Sequence, residues 1–155
     1  AMATVCRPRL MIADEPTTAL DVTVQAQVLK LLKHINQKYG MTIVLISHDL
    51  SVISQICDRV VVMYAGRIAE AAPTQVIMTA PAHEYTKGLI NSLPSMERKG
   101  SDLPCIPGHV PSTEEKREPC PFAPRCALAD DICRQQEPPR RMIGEGHVVY
   151  CHFVK

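Results

Sequence analysis

Leu10 to Ala13 is an uninterrupted apolar run that stops at Asp14 and Glu15, followed by Pro16 and the hydroxylated pair Thr17-Thr18. An apolar run closed by a turn signal predicts a buried strand, and Pro16, which cannot donate to a ladder, ends it. Asp21 is a good N-cap for the next segment. There Val24, Val28, Leu31, Leu32 and Ile35 recur at helical spacing until Gly40, which is placed to terminate the helix. That stripe is expected to face a core. Met41 to Ile46 is a β-rich apolar run of the kind that forms a central parallel strand. Strand, helix and strand together predict a right-handed βαβ crossover.

Further along, Leu50 to Ile56 reads as a short helix, with Cys57 near its end packed as a small apolar residue. Arg59 to Tyr64 and Arg67 to Ala71 read as strands joined by a tight Ala65-Gly66 turn. Pro73 to Thr79 and Glu84 to Leu93 read as short helices. At the other end, Ala1 to Cys6 resemble the close of a helix that Arg7-Pro8-Arg9 breaks, so the chain is expected to open inside a domain. Beyond Leu93 the periodic pattern fades. Nine of the thirteen prolines lie between Pro94 and Pro139, and five of the seven cysteines follow Pro104. The expected organisation is therefore an α/β part over residues 1–93 and a small, irregular Pro/Cys-rich domain over residues 94–155.

Composition narrows the function classes. A length of 155 residues suits one domain with an appendage. The formal charge of +1 creates no field for nucleic acid or anionic lipid, so no nucleic-acid partner is expected. No apolar run approaches the ~20 residues of a membrane span. The first residues also lack the layout of a signal peptide. A reducing compartment follows, in which a cysteine pattern points to metal more than to disulfides.

In open α/β sheets, ligands gather beyond the carboxyl ends of the strands. Asp14 and Glu15, adjacent at such an end, point in different directions; one can hold a metal while the other orients or deprotonates a water. Ser47-His48-Asp49 closes the strand expected beside them. The run from Asp14 through Pro16, Thr17, Thr18, Ala19 and Leu20 to Asp21 resembles the Walker B motif and D-loop of ABC-transporter ATPase subunits. Ser47-His48-Asp49-Leu50 resembles their H-loop. The resemblance implies that Asp14 holds the Mg²⁺ of Mg-ATP, that Glu15 is the base on the attacking water, and that His48 reaches the γ-phosphate. It further implies that Asp21 faces a second ATPase subunit across a dimer interface.

The stretch Val61 to Ile68 is similar to the segment after the H-loop in peptide-transporter ATPases, although Ala72 stands where that family often has glycine and Glu84 where it often has proline. No Gly-x-x-x-x-Gly-Lys-Ser/Thr loop, Leu-Ser-Gly-Gly-Gln signature or Q-loop occurs in the 155 residues. The likeness therefore covers the carboxyl-terminal part of an ABC ATPase, a partial RecA-like parallel sheet with flanking helices. Because the phosphates need a Gly-rich cradle and a lysine, this piece is expected not to hydrolyse ATP alone.

Cys120, Cys126, Cys133 and Cys151 are separated by five, six and seventeen residues. Four thiolates suit tetrahedral zinc or a [4Fe–4S] cluster, and a crosslink would support a segment poor in apolar residues. The absence of a close first pair argues against zinc, and free thiols remain a third reading. Leu103-Pro104 through Cys151 resembles the carboxyl-terminal extension of oligopeptide and dipeptide ABC ATPases, some of which are thought to hold an iron–sulfur cluster at matching cysteines. His109, His147 and His152 read as solvated loop residues.

For a full-length parent the resemblance implies an energy-coupling subunit of a peptide-type importer, at the cytoplasmic face of the bacterial inner membrane. Its partners would be a second ATPase subunit, two membrane-spanning permease subunits and, indirectly, a substrate-binding protein. Two other readings stand beside it. One is a non-enzymatic metal or iron–sulfur regulatory module; the other is a non-transport ABC-type ATPase.

Overall fold

The computed structural model describes residues 5–93, 105–111 and 118–154. They form two compact units, Ala1–Cys57 and Asp58–Lys155.

The first unit is the expected βαβ crossover plus one helix. Strand β1 (Leu10–Asp14) pairs in parallel with β2 (Thr42–Ile46), with Leu10 opposite Thr42 and Asp14 opposite Ile46. Helix α1 (Val22–Tyr39) joins them. The Asp21 carboxylate accepts the Thr23 and Val24 N–H groups at its start, and Gly40 ends it in the left-handed conformation at φ 60°. Helix α2 (Leu50–Ile56) is capped likewise by Asp49.

The apolar strands alternate rather than sink. Met11, Ala13, Ile43 and Leu45 are half-buried, while Leu10, Ile12, Val44 and Ile46 are exposed. Two strands and two helices can cover only one face of the sheet. For the same reason the α1 stripe is narrower than its spacing suggests. Leu29 and Leu32 are buried, whereas Val24 and Leu31 are exposed. The helix end expected over Ala1 to Cys6 falls largely outside the described residues.

The second unit is a four-stranded antiparallel sheet in the order β3-β4-β6-β5, with short helices around it. Strands β3 (Arg59–Tyr64) and β4 (Arg67–Pro73) form the expected hairpin, its turn made by Ala65 and Gly66 at φ 46° and 79°. Helices α3 (Thr74–Thr79) and α4 (Glu84–Asn91) follow. The region beyond Leu93 departs from the expectation of an irregular domain. It contributes helix α5 (Asp131–Gln135) and a second hairpin, β5 (Arg140–Gly144) and β6 (His147–Tyr150). Strand β6 pairs with β4, Glu70 opposite Val149 and Ala71 opposite Val148. The compact units thus divide at Cys57/Asp58 rather than near Leu93, because main-chain hydrogen bonds bind the late hairpin to the earlier one.

The core of this unit is aromatic. Tyr64, Phe122, Cys120, Ala123 and Cys133 are buried together, with Tyr85, Ile106 and Cys126 packed against them. Tyr64 and Tyr85 meet edge-on at 4.7 Å between ring centroids, and Tyr64 and Phe122 at 5.2 Å. Arg125 fastens the segment at residues 105–111 to this cluster. It donates to the carbonyls of Ile106 and Pro107 at 2.8 and 2.6 Å and to the Tyr64 hydroxyl at 3.3 Å. Ile106 lies so close over Gly88 that a Cβ there would stand 2.6 Å from Ile106 Cγ1.

Candidate active site

In the first unit the parallel register brings the carboxyl ends of β1 and β2 side by side, so whatever follows Asp14 meets whatever follows Ile46. The Glu15 N–H donates to the Ile46 carbonyl at 2.9 Å, tying the two tips together. Glu15 itself has φ 43°, a left-handed conformation uncommon for a residue with a side chain and frequent where geometry serves a site. The turn is held by Thr18 N–H donating to the Glu15 carbonyl at 3.1 Å.

The outcome is a direct contact. His48 Nδ1 and Glu15 Oε1 are 2.9 Å apart although 33 residues separate them in sequence. Thr18 Oγ1 donates to the other carboxylate oxygen, Oε2, at 2.9 Å. The bond from His48 first, and that from Thr18 second, hold the Glu15 carboxyl below its usual range. An ionised Glu15 is an acceptor only, so His48 Nδ1 carries the proton and Nε2 is left for another partner. Both side chains are open to solvent, with 44% of Glu15 and 76% of His48 exposed, so a water or a ligand can reach them.

The other expected site residues fall into two groups. Asp14 is exposed at the tip of β1 with its neighbour Glu15 turned to His48. Mg²⁺ commonly keeps several waters and takes one or two protein carboxylates plus substrate phosphates. A single free carboxylate at a strand tip fits that demand. Asp21 is exposed and its Oδ1 is committed to the N-terminus of α1. Thr18 had been visible only as a small hydroxylated residue; its position three residues after Glu15, inside a turn, is the signal that could have singled it out. Asp49 likewise accepts from Ser51 and Val52, and its carboxyl is lowered chiefly by the Ser51 hydroxyl.

The expected metal-ligand cysteines, Cys120, Cys126, Cys133 and Cys151, all belong to the second unit. Among the described residues, no group of three or more His, Cys, Asp or Glu side chains is arranged to hold a metal ion. Cys120, Cys126, Cys133 and Cys151 are free. Cys120 and Cys133 are buried in the aromatic cluster, and the Cys120 N–H donates to the Cys133 carbonyl at 3.0 Å. Burial pushes the Cys120 and Cys126 thiols up, with smaller contributions from neighbouring sulfurs: Cys133 and Cys126 on Cys120, Cys151 and Cys133 on Cys126. A zinc or [4Fe–4S] centre at these four cysteines rests on their spacing and on the resemblance of the segment.

His147 departs from expectation. It is not on a solvated loop but buried on β6, with Nε2 2.7 Å from Glu70 Oε1. Glu70 is fully buried on β4 and also accepts the Ala82 and His83 N–H groups, at 2.8 and 3.0 Å. Burial alone pushes the Glu70 carboxyl up. The neighbouring Thr86 hydroxyl, the Ala82 N–H, His147 and the His83 N–H outweigh it and hold the group below its usual range. His109 is exposed, and the His152 ring contacts the Gln136 carbonyl at 3.2 Å.

Comparison with known proteins shows what the chain is similar to. Residues 69–133 match the family described as oligopeptide/dipeptide transporter, C-terminal region. The chain is 44% identical over 153 residues to a dipeptide transport ATP-binding protein of Escherichia coli, a match covering 99% of this chain and 47% of the relative. A probable peptide ABC transporter ATP-binding protein of Sinorhizobium fredii is 48% identical over 152 residues, covering 97% and 45%. An oligopeptide transport ATP-binding protein of Salmonella typhimurium is 44% identical over 151 residues, again 97% and 45%. The chain spans about half the length of the curated relatives it matches. Over nearly all of its own length, it is homologous to the ATP-binding proteins of oligopeptide and dipeptide ABC transporters.

Proposed function

We propose that this chain supplies the hydrolytic residues of an ABC-type ATPase that powers peptide import. The observation that carries the reading is the 2.9 Å contact between Glu15 and His48 at adjacent strand tips, each side chain still open to solvent. Asp14 would hold Mg²⁺, which when bound neutralises charge on the nucleotide's phosphate oxygens. The ionised Glu15 orients a water and accepts its proton as the water oxygen attacks the terminal phosphorus and the bond to ADP breaks. His48, its ring fixed through Nδ1, donates to the terminal phosphate from Nε2, which requires a proton on both ring nitrogens. Thr18 holds the second Glu15 oxygen so that the first stays directed at His48. Asp21 lies at the contact with a second ATPase subunit.

The 155 residues contain no Gly-rich loop to cradle the phosphates, so the cradle and the signature sequence come from residues outside them. The partners we infer are a second ATPase subunit and two membrane-spanning permease subunits, with a substrate-binding protein reached through them. The location is the inner face of the bacterial plasma membrane. Among the described residues no helix is long and apolar enough to cross a membrane, as suits a peripheral subunit.

A chimera tests this. The 155 residues replace the matching 153 of the Escherichia coli dipeptide transport ATP-binding protein, and phosphate release is measured. The expected result is background release from the 155-residue chain alone and hydrolysis by the chimera, reduced about 10²-fold or more by Glu15→Gln. Undiminished hydrolysis by the Glu15→Gln chimera overturns the assignment.

A further inference from the structure

The second unit carries a half-open cavity of about 310 Å³ that plays no part in the proposed hydrolysis. Its size is at the lower end for small-molecule sites, and such sites combine an apolar wall with a few placed polar groups. Phe122, Ile68 and Pro121 supply the wall, and His83, Arg67 and Glu137 the polar groups.

His83 is only 5% exposed. Its Nδ1 accepts the Tyr85 N–H at 3.1 Å where α4 begins, and burial pushes its pKa down, so the ring is neutral with its proton on Nε2. That Nε2–H has no partner among the described residues. His83 lines the cavity, so an acceptor atom bound there can take that proton donor in place of water. Arg67 marks the polar rim. Its Nη1 donates to Glu137 Oε1 at 2.7 Å and to the Pro119 carbonyl at 3.2 Å. The Glu137 side chain is 72% exposed, so this is a surface pair of small net worth, held by a carboxylate that another carboxylate can replace.

We propose that this cavity binds a small aromatic carboxylate bearing a second hydrogen-bond acceptor. The ring packs against Phe122, the carboxylate takes the place of Glu137 on Arg67, and the second acceptor receives the His83 Nε2–H. The chemistry is that of an N-acylated aromatic amino acid.

The test uses the 155-residue chain with ¹⁵N-labelled histidine, titrated with N-acetylphenylalanine while the His83 Nε2 resonance is followed. A saturable shift is expected. N-acetylphenylalaninamide, which keeps the ring and acyl oxygen but not the charge, should bind at least about tenfold more weakly, as the loss of one charge-assisted bond predicts. N-acetylglycine, without the ring, should leave the resonance unmoved. In Arg67→Gln the acid and the amide should bind alike. Absence of a saturable His83 shift, or equal binding of acid and amide by the unaltered chain, overturns the proposal. The acid–amide comparison needs no variant, so it decides even if Arg67→Gln folds poorly.

Discussion

Among the described residues each unit sets a glutamate against a histidine, and the two pairs differ in almost everything but their length. Glu15 and His48 meet at 2.9 Å on exposed strand tips, with one carboxylate oxygen shared by a flexible hydroxyl. Glu70 and His147 meet at 2.7 Å with 0% and 8% of their side chains exposed, and two backbone N–H groups complete the glutamate's shell. The first pair keeps its free edges for something arriving from solution. The second has spent its bonding capacity inside the protein and joins β4, β6 and the start of α4. Accessibility, not residue identity, separates the pair we propose for chemistry from the architectural one.

Several substitutions bear on that contrast, the largest effect first. Glu70→Ala should destabilise the second unit by about 3–5 kcal/mol, because it strands a buried histidine and two amides. Glu15→Ala should change the stability of the first unit by no more than about 0.5 kcal/mol. Urea unfolding followed separately at amides of each unit measures both, and equal losses would erase the distinction.

Acidity gives a second separation. Because the folded Glu70 carboxyl is held below its ordinary value, its ionised form stabilises the fold above the unfolded-state pKa. That contribution is lost as pH falls through the lowered folded value. Melting temperature against pH should therefore drop on the acid side for the second unit, and Glu70→Gln should flatten the drop.

Gly88→Ala comes next. In an ordinary helix interior alanine is favoured, but here its Cβ would collide with Ile106, so a loss of about 1–3 kcal/mol is expected. Exchange of the amides at residues 105–111 should rise with it. In the first unit, Asp21→Ala should cost α1 about 1 kcal/mol, readable as faster amide exchange at Thr23 and Val24. The smallest effect is Thr18→Val. It should move the Glu15 carboxyl toward its ordinary pKa without altering stability, as a ¹³C titration of that carboxyl would record.

What could be read in the sequence follows the same division. Asp21, Gly40, Asp49 and the Ala65-Gly66 turn act within a few residues of themselves, so the first unit and the β3–β4 hairpin were legible in outline. The meeting of Glu15 with His48 was legible too, because a βαβ crossover places consecutive strand tips together. Glu70 and His147 lie 77 residues apart with no local mark on either. Nothing in the short, proline-rich run before β5 announces a hairpin that will add to an earlier sheet. Cysteine spacing did not announce that Cys120 and Cys133 would be buried beside Phe122. A count of thiols says nothing about which way they face.

The strand order β3-β4-β6-β5 has a consequence for how the molecule is made. In the first unit the described elements β1, α1, β2 and α2 all precede Asp58, and none of them pairs with a strand later in this chain. The second cannot close its sheet until β6 arrives, so Glu70 must wait, unneutralised by its histidine, through most of the remaining synthesis. During that interval the nascent hairpin offers an open strand edge, and this is when the growing polypeptide is most exposed to proteases and to pairing with a neighbour.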